Sequence, residues 1–256
     1  MSEREAKLVI TGDRPSAVAD EIAALSTLAA RPLDRAGTVS LHDVYLDTPG
    51  GALRARRESL RVRVADGRAF LTLKGPGREV EPGVIERDEL ETPWSEVAYA
   101  RLLDILAPRG IPLRSIPVTG DPVAVLLASG LARLQERETS RRLRYADGAS
   151  VPIAELAIDE VTFRLAAGPL RHHEVEIEAK APEGASYLPR AVEALRALFG
   201  AALTPWRYGK LSTGQAIERL LATGDGRSLI EGDRLSPAAY PRLAELLSGE
   251  PAPPGD

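Results

Sequence analysis

The strongest constraint on this chain is an alternation. In stretch after stretch, charged side chains take every second position and aliphatic side chains fill the positions between. Successive side chains of an extended strand point to opposite faces, so such a stretch has one charged face and one apolar face. Glu3, Glu5 and Lys7 share a face opposite Arg4, Ala6, Leu8 and Ile10. Leu60, Val62 and Val64 oppose Arg61 and Arg63, and Leu71 and Leu73 oppose Thr72 and Lys74. Arg87, Glu89 and Glu91 fall together, as do Glu155 and Asp159. Glu174, Glu176 and Glu178 lie opposite Val175 and Ile177. Arg137 and Arg141 share a phase within the Arg-rich run 135–145.

The same chain encodes helices with apolar stripes. One is expected from Asp13 as cap and Pro15 in the first turn, through Val18, Ile22, Leu25 and Leu28. Others are expected from Thr92-Pro93 to near Gly110, from Asp121-Pro122 to Gly130, and from Ser186 to Gly200. Ser212 with Gln215 reads as a capping box for a helix through Ile217 and Leu221. Between these, 43–48 reads as a strand, Asp66-Gly67 as a hairpin turn, 75–83 as a loop and Gly168-Pro169 as a turn. Two architectures satisfy this pattern. In a two-layer protein the helices cover the apolar face and the charged face meets water. In a closed barrel the apolar face points outward under the helices and the charged face lines a lumen. The mixture of signs favours the lumen, because a wet face has no need of Arg-x-Arg opposite Glu-x-Glu.

Composition narrows the function. With 256 residues, 44% hydrophobic and 27% charged, the chain can bury a real core. Its net charge of −4 is not the balance of a nucleic-acid binder, so any anion site must be a local concentration of Lys and Arg. The absence of cysteine excludes thiolate metal sites and fits a reducing compartment, and three histidines leave little for a zinc centre. The first residues carry no apolar signal region, and no apolar run approaches the roughly 18–20 residues that span a bilayer. A cytoplasmic protein without a membrane partner is expected, as monomer or homodimer.

The ordered set of motifs resembles one family. Glu3-x-Glu5-x-Lys7, Tyr45-Leu-Asp-Thr-Pro49, Leu60-Arg-Val-Arg63, Leu71-Thr-Leu-Lys74, Arg87-Asp-Glu89-Leu-Glu91, Ile158-Asp159-Glu-Val161 and Glu174-Val-Glu176 occur in the order of the CYTH superfamily, the triphosphate tunnel metalloenzymes. The likeness covers roughly 3–214 and is most similar to bacterial long-form members, which often precede a phosphate-binding helical domain called CHAD. No such domain is recognisable here. Gly209-Lys210 stands where the family has Ser-Lys. The resemblance implies an α+β fold, an eight-stranded antiparallel barrel forming a tunnel with helices outside. Domain boundaries follow as 1–215 for the tunnel and 216–256 for a helical extension with a disordered tail.

Family members hydrolyse or cyclise triphosphates, with acids holding a divalent metal and basic residues holding phosphate. Carried over, Lys7, Arg61, Arg63, Lys74, Arg87 and Lys210 are candidate phosphate ligands, with Arg137 and Arg141 on the same strand phase as further candidates. Glu3, Glu5, Asp159, Glu174 and Glu176 are candidate metal ligands, with Glu89 and Glu91 for a second metal or for orienting arginines. Hard oxygen donors suit Mg²⁺ or Mn²⁺. Glu5, Lys7, Arg61, Lys74 and Glu176 carry the expected catalysis. Glu178 reads either as a further site residue or as a rim residue, Glu155 as a rim residue, Tyr45 as structural, and His172 and His173 as turn residues entering a strand. The leading expectation is metal-dependent hydrolysis of a triphosphate, inorganic tripolyphosphate above all. The alternatives are a class IV adenylate cyclase and a non-catalytic polyphosphate-binding module.

Overall fold

The computed structural model describes residues 2–147, 151–223 and 226–249. The tail expected to be disordered, 250–256, lies outside them. Eight long strands follow in chain order: β1 (Ser2–Ile10), β2 (Arg31–Asp47), β3 (Ser59–Ala65), β4 (Arg68–Lys74), β5 (Val84–Pro93), β6 (Ala132–Ala146), β7 (Ala154–Leu165) and β8 (Gly168–Ala179). They close in the order β1–β5–β4–β3–β2–β6–β7–β8 and back to β1, every neighbour antiparallel. The expected eight-stranded barrel is therefore present. Around it, among the described residues, pack seven α-helices: α1 (Pro15–Ala24), α2 (Ala52–Ala55), α3 (Glu96–Leu106), α4 (Pro122–Ala128), α5 (Pro182–Phe199), α6 (Lys210–Ala222) and α7 (Ala239–Ser248). None is long and apolar enough to cross a membrane.

The alternation resolves as a barrel resolves it. Leu8, Ile10, Leu156, Ile158, Val175 and Ile177 point outward and bury against α1 and α5. Val44, Leu60, Val62, Leu71 and Leu73 do the same under α3 and α4. Each fully buried Leu or Ile on these faces contributes about 1.5–3 kcal/mol, so the helices are held by the barrel wall rather than by their own propensity. A third apolar cluster has another origin. Val9 and Phe163 share the strand phase of Lys7 and Asp159, yet they pack with Ile217 and Leu220 of α6. By strand parity, α6 therefore lies across one end of the lumen. Gly214 permits that seating: a Cβ there would stand 2.2 Å from the Gln135 amide nitrogen and 2.8 Å from the Phe163 ring.

Local signals set most turns. Asp66 and Gly67 both take positive φ, 48° and 73°, in the two-residue loop joining β3 to β4, as a primed hairpin turn requires. Asp47 accepts hydrogen bonds from the backbone N–H groups of Leu53 and Arg54 and so anchors α2.

Several element ends differ from the sequence reading. The strand expected at 43–48 runs from Arg31, and α1 stops at Ala24, so Leu28 lies in the short strand Thr27–Leu28. Leu28 still buries in the cluster under α1, so helical spacing was satisfied by a different element. The 75–83 loop contains a strand, Arg78–Glu81, paired with β5. Strand β5 continues through Pro93, and α3 begins after Ser95, whose hydroxyl caps Ala98 N–H. Helix α5 starts at Pro182 rather than Ser186. Helix α6 starts at Lys210 without a Ser212 capping box, and it runs across the expected 215/216 boundary. Strand β8 begins at Gly168, so His172 and His173 are strand residues and not turn residues.

Candidate active site in the barrel lumen

The lumen holds a cavity of about 1180 Å³. Every candidate site residue except Asp159 and Glu174 lines it; those two are fully buried in the wall. The side chains sort into four groups.

The first group is acidic and lies on β7 and β8. The register sets Asp159 beside Glu174, and one donor atom from each of Asp159, Glu174 and Glu176 falls within 4.8 Å of the others. Among the described residues this is the one set of three metal-competent side chains so arranged. Lys210, the first residue of α6, reaches into it, 2.9 Å from Asp159 and 2.8 Å from Glu176, and pairs with Glu174 as well. Lys7 stands 2.7 Å from Glu176 and 3.4 Å from Glu174. Arg141 grips Asp159 with two bonds, 2.8 and 2.7 Å, and Glu176 with a third of 2.7 Å. Burial alone would raise the Glu174 carboxyl; the Lys210 and Lys7 ammonium groups outweigh it and bring it to about 2. Glu176 is likewise held well below the usual carboxylate range, against burial, by Lys210, Lys7 and Arg141. The same acids hold Lys7 and Arg141 protonated despite their burial.

The donor set fits a divalent cation. It consists of hard carboxylate oxygens only. Glu174 Oε1 is buried and accepts no well-directed hydrogen bond, although both ammonium groups lie beside it. That leaves a lone pair for a cation. Glu174 Oε2 is held from behind by His172 Nε2 at 3.1 Å, and His172 Nδ1 by the Tyr240 hydroxyl of α7 at 3.2 Å.

The second group centres on Asp43, which is wholly buried. Arg63 binds it through two bonds of 2.7 and 3.0 Å, Arg137 lies at 3.1 Å and Arg61 at 3.7 Å. Arg137 also donates to the Tyr45 hydroxyl at 2.5 Å and stacks over its ring. Burial would raise the Asp43 carboxyl, but the three guanidinium groups hold it well below 3.8. One carboxylate among three cations leaves a surplus of positive charge at the lumen wall. Arg137 Nη1 and Arg61 Nε are buried without a hydrogen-bond partner, as is Arg87 Nε. Such donors suit an anion.

The remaining two groups are smaller. Lys74 bridges Glu3 at 2.8 Å and Glu89 at 3.0 Å, and burial, with Glu89 beside it, pushes the Glu3 carboxyl up. Arg87 pairs with Glu5, while Arg61 and Thr72 meet Glu91 at 3.2 and 2.9 Å. Glu3, Glu5, Glu89 and Glu91 thus answer to their own cations and stand outside the three-carboxylate cluster. The sequence reading gave no site role to Asp43, His172 or Tyr240. Asp43 lies two residues before Tyr45 and pairs in register with Arg63, so its lumen phase was readable from the strand.

Residues 1–200 match the model of the CYTH domain. The chain belongs to the CYTH family. No curated protein sequence matches it. Among solved structures it is similar to HpAC1 from Hippeastrum, described as having a dominant triphosphatase activity: 18% identity over 84% of this chain and 95% of that one, with a TM-score of 0.53. A protein of Pyrococcus horikoshii matches at 20% identity over 85% and 98%, TM-score 0.47. The Mimivirus capping enzyme triphosphatase matches at 11% identity over 76% and 89%, TM-score 0.40. The HpAC1 likeness carries the fold. In the CYTH frame, Glu3-x-Glu5-x-Lys7 is one stave of the charged wall, and α7, which supplies Tyr240, lies beyond the matched residues.

Proposed function

We propose that this CYTH protein hydrolyses a triphosphate in the lumen with a divalent metal, and that inorganic tripolyphosphate is the substrate. The observation that carries the reading is one cavity whose wall holds a three-carboxylate cluster, with Glu176 facing the cavity, and an arginine cluster with unpartnered donors. Tripolyphosphate hydrolysis asks for charge neutralisation, alignment and a placed water, with little covalent help from the protein. Arg61, Arg63 and Arg137 supply fork-shaped donors for terminal phosphoryl oxygens, and Lys7, Lys74, Arg87, Arg141 and Lys210 supply further positive charge along the cavity. Asp159, Glu174 and Glu176 are the ligands of Mg²⁺ or Mn²⁺, with Glu3, Glu5, Glu89 and Glu91 available to a second ion or to the arginines. The bound metal contributes Lewis acidity and a more acidic water. Glu5, Lys7, Arg61, Lys74 and Glu176 are the residues on which turnover depends.

A bare polyphosphate fits better than a nucleotide. The cavity wall contains two aromatic rings, Tyr45, covered by Arg137, and Tyr208, which packs edge-on to Trp206 and under Arg207. Each ring already carries a guanidinium over one face, which an adenine stacking there would have to displace. The test is phosphate release from tripolyphosphate, ATP and thiamine triphosphate with Mg²⁺ or Mn²⁺, with cyclic AMP assayed alongside. Fast release from tripolyphosphate supports the reading. Cyclic AMP and pyrophosphate from ATP would replace it with a cyclase, and tight binding without turnover in either metal would replace it with a binding module.

A further inference from the structure

Outside the barrel, at the start of α1, lies a second cavity of about 280 Å³. Arg14 and Ser16 wall it from the helix end, Arg171 and His173 from β8, and Arg234 from the hairpin 230–235. Its members come from three distant parts of the chain, and Arg234 lies beyond the matched CYTH residues. The hairpin pairs in parallel with the start of β8, setting Arg234 beside Arg171.

Independent features of this cavity ask for one kind of ligand. The α1 N-terminus is bare: no side chain caps it and no acid stands in its first turn, so the N–H groups that follow Pro15, which has none itself, and the dipole are unopposed from within the helix. His173 is only 3% exposed, and its Nδ1 is buried without a partner. Its Nε2 meets Glu160 at 3.1 Å and the Ser16 hydroxyl at 3.2 Å. Arg234 Nη1 is also buried without a partner, while its other amine holds Glu231 at 2.7 Å. Arg171 is held by Asp233 at 2.8 Å. Asp13, the one carboxylate in the wall, is exposed; Asp233 and Glu231 do not line the cavity.

Three guanidinium groups and a helix N-terminus call for an anion. His173 adds a restriction. Glu160 as a carboxylate can only accept, so Nε2 donates to it, and Nδ1 then presents a lone pair that needs a donor. An anion that also carries a proton satisfies both. We infer that this pocket is a second anion site, separate from the lumen, that binds a protonated phosphate group: oxygens to Arg14, Arg171, Arg234 and the α1 N–H groups, and the P–OH to His173 Nδ1. Sulfate has the same shape and no proton. The two sites stand on opposite faces of one strand, with His173 outward and Glu174 at the lumen wall. The inference does not rest on the proposed hydrolysis.

The experiment follows the ring nitrogens of the three histidines in the full chain labelled with ¹⁵N-histidine, during titration with inorganic phosphate, sulfate and glycerol phosphate. His173 is assigned with a His173→Gln control. The expected result is a saturable His173 shift with phosphate and an affinity for sulfate weaker by about tenfold or more, the worth of a lost hydrogen bond to a charged group. A paired Arg171→Gln/Arg234→Gln variant weakens phosphate by about tenfold or more, and Lys74→Ala in the lumen leaves the His173 response in place. Glycerol phosphate binding as well as phosphate assigns the site to a phosphate on a larger molecule; binding of phosphate alone assigns it to the free ion. No His173 response, an equal response to sulfate, indifference to the arginine pair, or loss of the response in Lys74→Ala would each overturn the inference.

Discussion

Replacing Asp43 with Asn tests the arginine cluster directly. The change keeps the shape of the side chain and removes its charge. Three guanidinium groups within 3.7 Å of a wholly buried carboxylate are then left facing one another. Removing one partner of a buried ion pair costs about 3–5 kcal/mol, because the remaining charge keeps its desolvation penalty. At about 2–4 °C per kcal/mol for a domain of this size, the melting temperature falls by about 6–20 °C. The pH dependence has a definite sign. The folded carboxyl lies well below its ordinary 3.8, so its stabilisation is fully present above about pH 4 and is lost as pH falls through the folded value. The gap between wild type and Asp43→Asn is therefore constant at neutral pH and narrows in acid. An anion restores part of what the carboxylate supplied. Any ligand at a hundred times its Kd adds about 2.7 kcal/mol, and tripolyphosphate should raise the variant's melting temperature more than that of the wild type. Urea and thermal unfolding between pH 3 and 8, with and without tripolyphosphate and without metal, read all three effects. A loss under about 1 kcal/mol, or a gap that does not narrow in acid, would refute the idea that Asp43 holds these arginines.

Other perturbations separate neighbouring roles. Glu176→Gln should lower metal-dependent phosphate release by about a hundredfold or more while a circular-dichroism melt still shows a cooperative fold; unchanged turnover would remove Glu176 from the mechanism. Tyr240→Phe deletes the buried hydroxyl behind His172 and should cost about 1–2 kcal/mol in urea unfolding, with weaker Mg²⁺ affinity by calorimetry because Glu174 loses its orienting chain. Gly214→Ala places a methyl 2.2 Å from Gln135 and should destabilise by about 1–3 kcal/mol through overpacking where α6 crosses the barrel end; a neutral thermal melt would show that α6 is not seated there.

What could be read from the sequence followed strand parity. Glu3, Glu5 and Lys7, Arg61 and Arg63, and Glu174 and Glu176 needed only period 2 to fall on one side, and the barrel turns those sides inward. Element ends were harder, because tertiary partners set them. Helix α6 begins at Lys210, not at the Ser212 box, and that start delivers the Lys210 ammonium to three carboxylates. His172 was misplaced because Gly168-Pro169 reads as a turn; starting β8 at Gly168 puts His172 in phase with Glu174. Asp43 sits alone among neutral neighbours, so its importance shows only once β2 lies between β3 and β6 with Arg63 and Arg137 in register on either side. The link from Tyr240 to Glu174 spans 66 residues and has no local signature at all.

The acidic cluster of the lumen is already neutralised from within, and this shapes what the lumen can bind. Lys7 and Lys210 are each spoken for by Glu174 and Glu176, and Arg141 by Asp159 and Glu176. An anion that draws these cations toward itself leaves three carboxylates uncompensated, two of them fully buried, at a cost that grows steeply with burial. A divalent cation between those carboxylates removes the cost, and equally releases the lysines toward the anion. Each ligand must then favour the other by the same free energy, since coupling between two binding equilibria is reciprocal. Calorimetric titration of tripolyphosphate into the Glu5→Gln variant, with and without Mg²⁺ and corrected for Mg²⁺–tripolyphosphate association in solution, measures that coupling. Equal affinities would mean that the acids and bases of the lumen act independently, which their shared ion pairs contradict.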